Sequence, residues 1–465
     1  MSDSILVIGG GIAGINCAMN AAKYGTKVYL IDNTASIGGM MARLDKTFPT
    51  NDCSICIEAP QMYEVDNHEN IEIMTNTEVR KVKKANGVFQ VKLAKKPLYV
   101  DEEKCTGCGA CVEACPVSVP DEMDGKIGGK RKLVSMAFPQ AVPNVVKVDP
   151  SCRLGDMRKA GACIGDCAVD CSQCRECPIA LCVKACEKEG KKAIVLWQSN
   201  KNVSLEVKSI VVATGIKNAP PAGDLLGYDV FDNVISNTEF ERLMNAGGPT
   251  SGEIIRPSDQ KHPKKIAWIQ CAGRGLAEGK GTPYCSKICC MISAKQTIIT
   301  KEHDESVETT IFYNDLKAYG KGFWDFYRKA NENGVRYVRG RPYEVTEDPA
   351  TQNLTLRYED LESGELHKHE VELLVLATGV IPNDRNKRLA KVLKLELDEF
   401  GYFKEKDPLL SPLETQVDGI YLCGGATGPI DIAESVVQAT AASMKAVSQG
   451  GSRNAEVGKG LSHGY

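Results

Sequence analysis

Apolar residues in this chain gather into short runs separated by amphipathic stretches. Ile5–Ile8 is such a run; a helical pattern follows to about Tyr24, and a second run, Lys27–Ile31, ends at Asp32. Strand, helix and strand within about thirty residues predict a βαβ unit with parallel strands. Two later runs, Ile210–Gly215 (IVVATG) and Leu373–Gly379 (LLVLATG), repeat one hydrophobic-then-ATG phrase and read as buried strands. Lys265–Gln270 (KIAWIQ) is a further strand. Thr415–Gly428 (TQVDGIYLCGGATG) reads as a strand ending in glycines, with a helix expected from about Ile430 to Val447. Between Leu98–Asp101 and Ala193–Trp197 lies a long segment dense in cysteine.

The turn of the βαβ unit carries chemistry. Gly9, Gly11 and Gly14 form G-x-G-x-x-G between the first strand and its helix, which lets backbone approach a pyrophosphate at the helix N-terminus. Asp32, eighteen residues beyond Gly14, stands where a carboxylate bonds ribose hydroxyls. Gly38-Gly39 resembles the second glycine pair of flavoproteins with two dinucleotide-binding domains. In those proteins ATG phrases mark the crossings between domains, which singles out Thr214, Gly215 and Gly379, and the distal flavin motif corresponds to Gly425 and Ala426. All four motifs in order favour FAD over NAD. The expected class is α/β, thioredoxin-reductase-like, with an inserted ferredoxin-like α+β domain. Its parts are an FAD-binding domain in three segments (1–100, 197–263, 373–450), an iron–sulfur insert (101–196), a segment like an NAD domain (264–372) and a flexible tail (451–465).

Twelve of the twenty cysteines fall in the insert. Cys105, Cys108, Cys111 and Cys115, followed by Pro116, give C-x2-C-x2-C-x3-C-P, the run that presents three thiolates to one [4Fe–4S] cube and lends the fourth to a neighbour. Cys105, Cys108 and Cys111 are therefore expected to take Cys186, while Cys115 joins a second run, Cys174, Cys177, Cys182 and Cys186, whose spacing is irregular. The preferred partition adds a third cube on Cys152, Cys163, Cys167 and Cys171; two cubes with spare thiols is the alternative. Downstream, Lys265–Gln270 runs into Cys271 rather than a glycine-rich turn, so the nicotinamide site is expected to be lost. Cys271 with Cys285, Cys289 and Cys290 is either a further cluster set or a group of structural thiols. Cys53 and Cys56 form C-x2-C near the place where flavin disulfide reductases keep a redox dithiol, which those enzymes space C-x4-C. Cys17 and Cys423 are expected in the core.

Composition narrows the setting. With 57 basic and 60 acidic residues the net charge is −3, which points neither to nucleic acid nor to an anionic membrane surface. No run of apolar residues is long enough to span a bilayer, and the first strand begins too near residue 1 for a signal peptide. A reducing cytoplasm is the expected compartment.

With these pieces in place the chain resembles the flavoprotein of the heterodisulfide reductase family that bears the FAD, its A subunit. The resemblance rests on LDKTFPTNDCSICIEAP (Leu44–Pro60), CTGCGACVEACPV (Cys105–Val117), AFPQAVPNVVKVD (Ala137–Asp149), YCSKICCMISAKQ (Tyr284–Gln296) and YNDLKAYGKGFWDFY (Tyr313–Tyr327). It implies FAD, an inserted ferredoxin domain and a [4Fe–4S] cluster on Cys271, Cys285, Cys289 and Cys290, making four clusters in all. It offers Cys152 as an ordinary second-cluster ligand, against the partition above. It further implies an electron-transfer subunit of a multi-subunit complex in an anaerobe, with other subunits or a ferredoxin-like carrier as partners and flavin-based electron bifurcation as the finer expectation. Lys317, Lys321 and the helix starting near Ile430 are candidates for tuning the flavin. A stand-alone dithiol oxidoreductase using Cys53 and Cys56 is the rival function.

Overall fold

The computed structural model describes residues 4–150, 181–196, 198–275 and 281–448. The first apolar run becomes the central strand of a five-stranded parallel sheet, ordered Ile420–Leu422, Ser209–Val212, Ser4–Ile8, Lys27–Ile31 and Ile71–Met74. Ser4–Ile8 is buried throughout, as a parallel strand covered on both faces must be. Ile5 and Val7 meet the helices Ile12–Ala22 and Ile432–Ser448, whereas Leu6 and Ile8 meet Phe89, Val91 and Leu93. Those last residues belong to an antiparallel layer ordered Lys201–Val207, Val88–Lys95 and Thr77–Ala85.

The insert enters between two strands of that layer that are hydrogen-bonded neighbours, Val88–Lys95 and Lys201–Val207. Its ends are clasped by a bridge from Val100 to Ile194. Two small antiparallel ribbons, Ser118–Pro120 with Lys130–Lys132 and Val134–Ser135 with Lys147–Val148, frame it. The helices Ala110–Glu113 and Leu181–Lys188 pack together, and Cys111, Cys115, Cys182 and Cys186 lie in one core with Leu98, Val134 and Val146. Cys152, Cys163, Cys167, Cys171, Cys174 and Cys177 lie outside the described residues, as does the tail from 449.

A second sheet of seven strands runs Val234–Ser236, Leu373–Leu376, Lys265–Ile269, Glu308–Tyr313, Arg336–Glu347, Leu354–Asp360 and Leu366–Val371. Its first five strands are parallel and the remaining pairings antiparallel. Helices Asn237–Met244, Cys289–His303 and Phe323–Glu332 cover one face. Two strands depart from the segment boundaries read from sequence: Val234–Ser236 and Leu373–Leu376 join this sheet although they fall in segments assigned to the flavin domain. A fully apolar run fits either parallel sheet, and only its neighbours decide which. The chain crosses between the two sheets at Ile216–Asn218 and Val380–Pro382, just past the two ATG phrases, and these crossings pair antiparallel.

Candidate flavin and iron–sulfur sites

The glycine motifs converge. The amide of Gly38 donates to the carbonyl of Gly10 at 2.7 Å, and Gly11 bridges to Gly38, so the two glycine segments form one loop. No side chain fits at Gly14: a Cβ there would lie 1.8 Å from the carbonyl oxygen of Gly9. The helix Ile12–Ala22 begins after Gly11 without a side-chain cap, leaving its first amides for an anion. Gly9 packs against Ala213, and Gly425 against Gly215 and Ile216, so the βαβ loop, the first crossing and the distal turn Gly424–Ala426 surround one place. Thr214 donates its hydroxyl to Asn386 at 2.9 Å. These residues fit a dinucleotide: a glycine cradle, a free helix end and a carboxylate at the strand terminus. Asp32 accepts from the amides of Gly10 and Thr34, both at 2.7 Å, and from the Thr34 hydroxyl at 2.6 Å. It braces the loop with three of the roughly four hydrogen bonds a carboxylate accepts.

Cys105, Cys108, Cys111 and Cys186 line one small cavity together with Val146 and Ile194. This is the crossed set read from the ferredoxin spacing, three thiols from the first run and one from the last helix. Cys115 and Cys182, both buried, are not among its lining residues. Burial, reinforced by the charges of its neighbours Cys105, Cys186 and Cys108, pushes the Cys111 thiol up to about 11.

Cys271, Cys285, Cys289 and Cys290 line a second small cleft, with Lys317, Lys287 and Gly379 on its walls. The strand Lys265–Ile269 leads to Cys271, and Cys289 and Cys290 open the following helix. Thiols thus occupy the helix end where a dinucleotide fold would present amides to phosphate. The Cys290 thiol is raised to about 11, and that of Cys289 further, by burial first and then by the other thiols. The Lys317 amide donates to Cys290 Sγ at 3.4 Å, the Lys287 amide to Cys285 Sγ at 3.4 Å, and Arg274 approaches Cys271 Sγ at 3.9 Å. Thiols packed this way ionise together only around a cation. Among the described residues no three His, Cys, Asp or Glu side chains converge as ligands of a single metal ion. Each quartet instead surrounds a space, which fits a cube bound by four thiolates.

Other expected residues are placed differently. Gly379 has φ +89°, and a Cβ there would lie 2.4 Å from Ser286 Oγ and 3.9 Å from Cys289 Sγ; it walls the second quartet. Lys317 pairs with Asp315 at that cleft, and Lys321 is exposed. The helix starting at Ile432 has no bare positive end. Asp431 and Glu434 cap it reciprocally, each carboxylate accepting the other's amide at 2.8 and 3.3 Å, and so bring negative charge there. Sequence reasoning missed Lys287, whose ammonium meets both Glu434 oxygens at 3.1 and 3.2 Å and lies over the Tyr319 ring. Its place between two quartet cysteines was the available signal. Cys53 caps the helix Ser54–Asp66 and is disulfide-bonded to Cys56. Cys17 and Cys423 are buried against each other.

Comparison with known proteins agrees with this geometry. The family described as FAD dependent oxidoreductase matches residues 4–51, and the 4Fe-4S binding domain family matches residues 98–121. The chain is 45% identical over 441 residues to the iron-sulfur A subunit of CoB–CoM heterodisulfide reductase from Methanocaldococcus jannaschii, covering 94% of this chain and 63% of that protein. It is 42% identical over 448 residues to the second iron-sulfur A subunit of the enzyme so named from Methanopyrus kandleri, covering 96% and 64%. It is 37% identical over 482 residues to a protein of Archaeoglobus profundus described as like the heterodisulfide reductase A subunit, covering 96% and 66%. The chain thus spans just under two thirds of the length of these relatives. Among solved structures, thioredoxin reductase of T. acidophilum is similar at 14% identity and a TM-score of 0.48, covering 97% of this chain and 99% of that one. The flavoprotein disulfide reductase RclA of Escherichia coli gives 11% and 0.45, covering 95% and 70%. Fold and site define an FAD-dependent oxidoreductase carrying a [4Fe–4S] insert. Within that class, the chain belongs to the family of heterodisulfide reductase A subunits.

Proposed function

We propose that this chain is the flavin-bearing electron-transfer subunit of a heterodisulfide-reductase-like complex. One observation carries the reading: the second cysteine quartet and the distal flavin motif are tied together by Lys287, which sits between Cys285 and Cys289 and pairs with Glu434 in the first turn of the Ile432–Ser448 helix. In this reading FAD is held by Gly9, Gly11, Gly14, Asp32, Gly38, Gly39, Thr214, Gly215, Gly425 and Ala426. One cube is held by Cys105, Cys108, Cys111 and Cys186, another by Cys271, Cys285, Cys289 and Cys290. When bound, the flavin supplies two-electron and the clusters one-electron chemistry. The chain's own groups shield the thiolates from water, and the amides of Lys287 and Lys317 donate to their sulfurs. The side chains of Arg274 and Lys287 bring positive charge to the second quartet.

The remaining insert cysteines, with Cys115 and Cys182, complete two further cubes in this reading, one of them on Cys152, Cys163, Cys167 and Cys171. Electron bifurcation and a ferredoxin-like partner rest on the family alone, and a cytoplasmic setting fits a chain whose described helices include none long and apolar enough to cross a membrane. About sixteen iron and sulfide per FAD is the expected content, and about twelve would remove the third insert cube. Stepwise reduction of the native complex, followed by flavin absorbance and cluster paramagnetism together, tests the function. The two signals should rise in linked fashion; clusters that stay silent while the flavin bleaches would overturn it. Rapid bleaching by NADH would instead favour the stand-alone oxidoreductase.

A further inference from the structure

The Cys53–Cys56 disulfide is used by neither cluster cavity and lies where chemistry from outside can reach it. Cys56 is exposed, and Cys53, half-buried, is the N-cap of a thirteen-residue helix. The sulfur of Cys53 accepts the amide of Cys56 at 3.3 Å, so a thiolate left on Cys53 meets both a donor and the positive helix end. Pro60 lies one turn on, inside the helix; having no N–H, it deprives the Cys56 carbonyl of its helical partner and loosens the turn carrying the exposed sulfur. Beyond Cys56 the outward face presents Ile57 at 38% and Tyr63 at 43% exposure, with Pro60 between them. That strip is apolar and, among the described residues, uncovered, and it suits a protein surface better than a small polar thiol.

The pair is also built into the redox core. The Ser54 hydroxyl donates to the Met41 carbonyl, just past the Gly38-Gly39 pair. The loop before Cys53 is held by Lys295, on the helix that Cys289 and Cys290 open, donating to the Lys46 carbonyl at 2.8 Å. Phe48 of that loop meets Phe323 edge-on at 5.5 Å.

We propose that Cys53 and Cys56 form a thiol–disulfide exchange site for a partner protein carrying its own cysteine pair. In the reducing direction a partner thiolate attacks Cys56 Sγ; the Cys53–Cys56 bond breaks and Cys53 leaves as the thiolate stabilised at the helix cap, taking a proton from solvent. The partner's second thiol, after losing its proton to solvent, then attacks the partner's own sulfur in the mixed disulfide, and Cys56 leaves as a thiolate that takes up a proton. Two thiols of the partner become one disulfide, one disulfide here becomes two thiols, and two electrons pass with no other reactant.

The full cofactor-loaded chain, equilibrated anaerobically in graded reduced and oxidised dithiothreitol, quenched in acid and alkylated, tests the site by peptide mass spectrometry. The peptide carrying Cys53 and Cys56 should pass from unlabelled to doubly labelled in one two-electron step. Labelling of both thiols at every ratio, or of neither, would overturn the proposal. In a second arm, oxidised chain is mixed with a reduced thioredoxin lacking its resolving cysteine, or with glutathione. Adducts on Cys56 should exceed those on Cys53 by about tenfold or more, since the better leaving thiolate directs the attack, and Cys56→Ser should abolish them while flavin and iron content stay unchanged. Adducts with glutathione but none with thioredoxin would overturn the protein-partner assignment.

Discussion

Glu58 is fully buried, and neither of its carboxyl oxygens has a hydrogen-bond partner among the described residues. Desolvation raises its pKa from 4.5 to about 9, so at neutral pH it is a carboxylic acid. The unfolded chain loses this proton near 4.5 and the folded chain holds it to about 9. Its contribution to stability is therefore complete below the lower value and is lost as pH rises through that window, by up to about 1.4 kcal/mol per pH unit. Glu58→Gln should remove the infrared carbonyl band of a protonated acid at pH 7 and make stability between pH 6 and 8 less pH-dependent by roughly 1–3 kcal/mol. A band that survives the substitution would refute the assignment. At Gly379 the argument is steric. A methyl group collides with Ser286 Oγ, which accepts the Val380 amide at 2.8 Å, and the backbone is left-handed. Gly379→Ala should lower iron by about four per chain while flavin is retained, as metal and flavin assays would show.

At the scale of elements, the reciprocal cap of the Ile432–Ser448 helix alters what that helix does. A bare N-terminus stabilises a negative neighbour, but here Asp431 and Glu434 fill the end and Lys287 balances them. Burial raises the Asp431 carboxyl, and Glu434 adds to it. The Lys287 pair is more than a third exposed, so its loss should change stability by less than about 1 kcal/mol. It should nonetheless matter to the electrons: Lys287→Gln removes a positive charge beside the second quartet, and the site it adjoins becomes harder to reduce. A paramagnetism-monitored titration should show a more negative midpoint, partly restored by adding Glu434→Gln. An unshifted midpoint would leave Lys287 as a structural tie only.

For the molecule as a whole, the short helix Asn237–Met244 joins three parts. Arg242 donates to Asp124 of the insert at 2.7 Å, both side chains nearly buried. Glu241 meets Lys295 of the helix opened by Cys289 at 2.5 Å, and Asn245, just past the helix, donates to the Leu44 carbonyl near the flavin loop. Breaking a buried pair strands a charge at a cost of about 3–5 kcal/mol. Arg242→Met should therefore lower the denaturant midpoint strongly, and adding Asp124→Asn should recover part of the loss because the uncompensated carboxylate is gone. Equal losses in the single and double variants would show that packing, not charge, holds the insert in place.

Local spacing is legible wherever the physics is local. Gly9, Gly11 and Gly14 between two apolar runs, and the C-x2-C-x2-C-x3-C spacing of Cys105–Cys115, belong to motifs that fold within themselves, and the chain alone determined both. It also determined where strands Ser4–Ile8, Lys27–Ile31 and Lys265–Ile269 lie, because a short apolar run bounded by turns has few other uses. The partnership of Cys186 with Cys105, Cys108 and Cys111 was already read from the ferredoxin spacing, and the fold supplies its place in space. Only tertiary structure decided that Leu373–Leu376 joins the second sheet, that Gly379 walls a cysteine cleft rather than the flavin cradle, and that Lys287 reaches Glu434. Those pairings join residues up to nearly 150 positions apart, and no local propensity encodes them. They follow from which apolar faces find each other when loops close, and loop-closure entropy rises too slowly with length to single out one partner in advance.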